Sequence, residues 1–76
     1  MGKLPQISGV ALVRALKRDG WQEMSQKGSH LKLIKHLKPI GTARVIVPMH
    51  RVLKKGTLHG ILKDAALSRE KLLRLL

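Results

Sequence analysis

Cysteine, tyrosine and phenylalanine are absent from this chain, and Trp21 is its one aromatic residue. The lack of cysteine excludes a disulfide framework and thiolate metal sites, and removes the usual staple of a small secreted domain. A cytoplasmic setting is the expectation. The lack of aromatic rings means that the core is built from Leu, Ile and Val. It also removes the platforms on which single-stranded bases usually stack, so base-selective binding of a single strand is not expected unless a partner supplies it. Acidic residues are scarce: Asp19, Glu23, Asp64 and Glu70, no two of them closely spaced. Paired-carboxylate hydrolases and two-metal nucleases both need converging acidic groups, so neither is expected. No apolar run reaches the roughly 18 residues of a membrane span. The opening Met-Gly-Lys-Leu-Pro-Gln lacks the apolar stretch of a secretory signal.

What the chain has in quantity is positive charge. Sixteen Lys and Arg against four acids give a net charge of +12 over 76 residues. Self-repulsion of that size costs a small fold stability, which points to a polyanionic partner such as nucleic acid, an anionic membrane or an acidic protein. Hydrophobic residues make up 43%, enough for a packed core and too many for a disordered basic tail. A single domain over residues 1–76 is expected, with no internal repeat.

The spacing predicts a helix from Gly9 to Asp19. Ser8 is its N-cap, Ile7 and Leu12 can form a hydrophobic staple, and Gly20 is its left-handed stop with Trp21 folding back onto Leu16. From Trp21 onward the period changes to two. Trp21–Gln26, His30–Lys35 and Ala43–Val47 read as short strands joined at Lys27-Gly28-Ser29 and Pro39-Ile40-Gly41, an antiparallel meander. In the middle strand Leu31 and Leu33 share one side, with His30 and Lys32 on the other. After a basic loop, Thr57 is the expected cap of a helix carrying Leu58, Ile61, Leu62 and Ala65 on one face. Ser68 then opens a short segment with Leu72, Leu73 and Leu76 together. The order is α-β-β-β-α with a short C-terminal helix, an α+β fold with helices on one sheet face.

Histidine supplies the general acid–base candidates. No spacing among His30, His36, His50 and His59 matches a metal motif, so no metal is expected. His30 stands out because it follows a turn, opens a strand and points away from the leucine face. Lys27 and Lys32 beside it can hold a phosphodiester, and a neutral imidazole can take the proton of a ribose 2′-hydroxyl. A solvated turn histidine is the alternative, and by residue type alone it is the commoner case. His50 can donate to a phosphate or simply hold its loop. Lys54 and Lys55 before a helix start are candidate phosphate contacts, with a solvated basic loop as the alternative. Ser29 can hydrogen-bond RNA or shape the turn. Lys71–Leu76 has the pattern of a membrane-surface amphipath, for which packing on the domain is the commoner explanation.

Three segments in order resemble the HicA toxin family of bacterial toxin–antitoxin modules: Lys27-Gly28-Ser29-His30, Val47-Pro48-Met49-His50, and Lys55-Gly56-Thr57-Leu58 followed by Ile61-Leu62-Lys63. An opening helix ending in Asp19-Gly20-Trp21 fits the same pattern. The resemblance implies a fold like a double-stranded RNA-binding domain, and an mRNA interferase activity whose essential histidine is His30. It also implies inhibition by a HicB-type antitoxin covering the active face, and an acidic partner suits the charge. His59, Gly60 and Ala66 depart from the family pattern and bear on the end of the second long helix. The expected function is a metal-independent endoribonuclease acting on mRNA, with Lys27, Ser29, Lys32, His50, Lys54 and Lys55 as RNA contacts. A non-catalytic RNA-binding module of the same fold is the alternative.

Overall fold

The computed structural model describes residues 3–76, arranged as α1 (Gly9–Arg18), β1 (Gln22–Lys27), β2 (His30–His36), β3 (Thr42–Pro48), α2 (Lys55–Asp64) and α3 (Arg69–Leu75). The strands form one antiparallel sheet in the order β1-β2-β3. The molecule measures 33 × 31 × 18 Å, and its short axis corresponds to two layers, sheet and helices. This is the α+β, double-stranded-RNA-binding-domain-like arrangement.

α1 forms where its cap and stop allow. The Ser8 hydroxyl accepts from the Ala11 amide at 3.0 Å. At the other end Gly20 takes a φ of +97°. Its amide donates to the Lys17 carbonyl and the Trp21 amide to that of Leu16, the paired bonds of a Schellman stop. The turn delivers Trp21 to the core, where it is 3% exposed. Its indole Nε1 has no hydrogen-bond partner among the described residues.

The core lies on one face of the sheet. Leu31 and Leu33 from β2 and Val45 and Val47 from β3 meet Leu12 and Leu16 of α1, Leu58 and Leu62 of α2, and Leu72 of α3. Each such side chain contributes roughly 1.5–3 kcal/mol when fully removed from water. β1 is different: all six of its residues are exposed, as suits a polar edge strand. A register shift between Glu23 and Ser25 leaves Met24 as a bulge.

Several expectations are corrected at the element ends. α2 starts at Lys55 with Lys54 as its N-cap, whose side chain makes no capping bond. Thr57 therefore lies inside the first turn, because the Leu58 amide already donates to the Lys54 carbonyl at 2.9 Å. α1 ends at Arg18 with Asp19 as its cap, β1 is displaced by one residue, β2 runs one residue further, and β3 extends by one residue at each end. In α3, Leu72 is fully buried while Leu73 and Leu76 are 41% and 44% exposed. Leu75 packs on the core in their place, because helical spacing puts residues three apart on the face that Leu72 turns inward.

Candidate active site on the open sheet face

Strand alternation decides which side chains leave the core. In β2, Leu31 and Leu33 turn toward the helices, so His30, Lys32, Ile34 and His36 turn to the other face. The register puts Lys27 of β1 and Pro48 of β3 opposite His30, and Ser25 and Ile46 opposite Lys32. Ser25, Lys27, His30, Lys32 and Ile46 line one shallow open depression. His30 is exposed at its end.

The turn that presents His30 is built locally. Lys27 pairs with His30, leaving a two-residue loop in which Gly28 has a φ of +59°. A positive φ at the first loop position favours glycine and matches the twist of a hairpin. The Gln26 side-chain Nε2 donates to the Gly28 carbonyl at 3.1 Å. The Ser29 carbonyl accepts from the Met49 amide at 2.6 Å, which fastens the turn to the end of β3. Ser29 thus contributes through its backbone, and its exposed side chain remains at the rim.

The other sequence candidates do not converge on this depression. His50 is exposed beyond β3, and its carbonyl accepts from the Gly9 amide at 2.9 Å, so its backbone holds the loop. Lys54 and Lys55 line a separate groove with Lys3, Leu4 and Gln6. His59 lies on α2 beside Lys55 and Lys63 in a further groove, and His36 is exposed at the far end of β2. Among the described residues no three His, Asp or Glu side chains gather as a metal site would require.

Ser25 and Ile46 are lining residues that sequence reasoning missed. Their signal is the cross-strand register, which the two-residue turn sets for Ser25 and the β2–β3 pairing sets for Ile46. Chemically the depression offers an imidazole between two ammonium groups, with an apolar wall from Ile46. It can hold a phosphate while the imidazole exchanges a proton with a neighbouring hydroxyl.

No helix among the described residues is long and apolar enough to cross a membrane. No curated protein and no solved structure matches the chain. A family model describing the HicA toxin of bacterial toxin–antitoxin systems matches residues 11–67, a stretch that contains the whole sheet, the His30 turn and α2. Since that match takes in well over half of the sequence, with the hairpin and its histidine inside it, the chain belongs to the HicA toxin family.

Proposed function

We propose that this protein is a metal-independent endoribonuclease that cleaves mRNA through His30. The observation that carries the reading is the exposed His30 in an open depression between Lys27 and Lys32. Membership of a toxin family adds a reason for destructive chemistry on a cellular polymer.

In this reading Lys27 and Lys32 bind the scissile phosphodiester. The neutral imidazole of His30 accepts the proton of the 2′-hydroxyl, and the 2′ oxygen attacks the adjacent phosphorus. The bond to the 5′ oxygen breaks, and that oxygen takes a proton from the imidazolium or from water. The products are a 2′,3′-cyclic phosphate and a 5′-hydroxyl end. DNA lacks the attacking hydroxyl and is not a substrate. The cations stabilise charge that builds on the phosphoryl oxygens. Ser29 belongs to the turn beside the site, and His50, Lys54 and Lys55 add phosphate contacts further along the RNA. A HicB-type antitoxin is the proposed inhibitor, an acidic partner covering the open face of a +12 protein.

The test is cleavage of RNA in EDTA by the wild type and by His30→Ala, with folding matched by circular dichroism. Wild-type cleavage that yields cyclic phosphate ends, and none by His30→Ala, is the expected result. If neither protein cleaves while both still bind RNA, the endoribonuclease reading fails and a binding module replaces it.

A further inference from the structure

We propose that Gly9 is a positioning residue for His30: its missing side chain lets the start of α1 close onto the Pro48–Met49 backbone, and that backbone sets the His30 turn. The inference rests on the His30 endoribonuclease reading and names what aims the histidine.

Gly9 is buried and is the first residue of α1. Its backbone has helical rather than left-handed φ, so conformation alone does not call for glycine there. Helix propensity does not call for it either, since glycine is a poorer helix former than alanine. The close approach of the chain explains it. A Cβ on Gly9 would lie inside contact with the Pro48 carbonyl oxygen, 2.9 Å from Met49 Cα and 3.1 Å from the Pro48 carbonyl carbon. All three are backbone atoms, which cannot rotate aside as a side chain would. The two glycines within α2, Gly56 and Gly60, have nothing within 4 Å of a built Cβ, so the crowding is particular to Gly9.

Hydrogen bonds continue the connection from there to the turn. The Gly9 amide donates to the His50 carbonyl at 2.9 Å, and the Leu53 amide to that of Ile7 at 2.8 Å. These two bonds clip Ile7 and the first residue of α1 against the loop after β3. On its other side the same loop holds the turn, through the Met49 amide and the Ser29 carbonyl at 2.6 Å. Pro48 is the register partner of His30. Met49 is thus held between α1 and the turn, and displacing it displaces Ser29 and His30. Displacements of about 1 Å at reacting groups can cost a hundredfold in rate.

The experiment compares wild type, Gly60→Ala, and Gly9→Ala in the Gly60→Ala background. Gly60→Ala adds helix propensity in open space, so it offsets the stability that the Gly9 change removes. Folding is followed by circular dichroism. The amide shifts of Ser29, His30 and Met49 are read by NMR, and kcat and KM on RNA are measured where each protein is fully folded. The double variant is expected to fold and to move all three amide signals. Its kcat should fall about tenfold or more with KM held within about threefold, while Gly60→Ala behaves as wild type. A folded double variant with wild-type kcat, or with unmoved Ser29 and His30 signals, overturns the inference. So does a double variant that does not fold, because the close approach would then hold the fold rather than aim the histidine. Should the wild type not cleave RNA, the endoribonuclease reading falls, and the His30 signal alone decides whether Gly9 positions the turn.

Discussion

Two helices in this protein end in the same hydrogen-bonded stop, and they use different residues to do it. After α1 the left-handed position is Gly20; after α2 it is Ala66, with a φ of +54°. Around Ala66 the bonds are those of a full Schellman stop: its own amide donates to the Lys63 carbonyl, and the Leu67 amide to that of Leu62. Alanine in that conformation carries roughly 1–2 kcal/mol of strain. Glycine removes the strain and costs roughly 0.4–1 kcal/mol of unfolded-chain entropy. Ala66→Gly is therefore expected to stabilise the fold by about 0.5–1 kcal/mol, seen as a rise of a few degrees in the melting temperature. An unchanged or lower melting temperature would mean that the strain is absorbed elsewhere. The sequence marks Ala66 only through its departure from the family pattern, because no propensity rule places an alanine at positive φ.

At the scale of elements, Asp19 is the junction. Its carboxylate sits at the end of α1, 11% exposed, with the Lys35 ammonium of β2 at 3.1 Å and the Lys71 ammonium of α3 at 3.8 Å. α3 has seven residues, too few to be stable alone. It relies on the Ser68 cap, buried Leu72, this carboxylate and the Arg18 guanidinium donating to the Leu75 carbonyl. Asp19→Asn removes charge-assisted contacts worth about 1.5–3 kcal/mol. It also relieves an unfavourable acid at a helix C-terminus, worth about 0.3–1 kcal/mol. A net loss of about 1–2 kcal/mol is expected in urea unfolding, and a neutral result would show the lysines to be solvated instead. By contrast, the Lys17–Glu23 ion pair joins two side chains that are each about half exposed, and such pairs contribute little.

Elements were legible where a local signal acts alone. Ser8, Gly20 and the apolar spacing between them define α1, and the leucine alternation in β2 turns His30 outward. The start of α2 was not legible, because Lys54 makes no capping bond and Thr57 resembles a cap without serving as one. Nor was the inward face of α3, where a run of four leucines in the last five residues leaves the phase to tertiary packing. The depression around His30 depends on the register of all three strands, which the two turns set and which no single residue type announces. The close approach at Gly9 is equally silent in sequence, since it joins residues some forty positions apart.

For the molecule as a whole, the division into a packed face and an open face decides how it meets a polyanion. Lys27, Lys32 and Arg44 stand on β strands without acidic neighbours on the open side, while the four acids lie on or beside helices or, for Glu23, against Lys17. Binding led by phosphate contacts releases counterions. With about four to six phosphates engaged, RNA affinity should fall by roughly 10²–10³ between 50 and 200 mM salt. Binding isotherms at four salt concentrations measure this directly, and a flat response would rule out phosphate-led binding.

The location of the lone indole has an optical consequence. Trp21 is sealed among aliphatic side chains on the helix-covered layer, with the sheet between it and the depression that holds His30. Its emission is therefore a gauge of whether the core is closed, and a bound strand on the opposite layer touches no chromophore. Intrinsic fluorescence in this protein monitors integrity separately from occupancy, so a variant's loss of activity can be assigned to one or the other in a single cuvette.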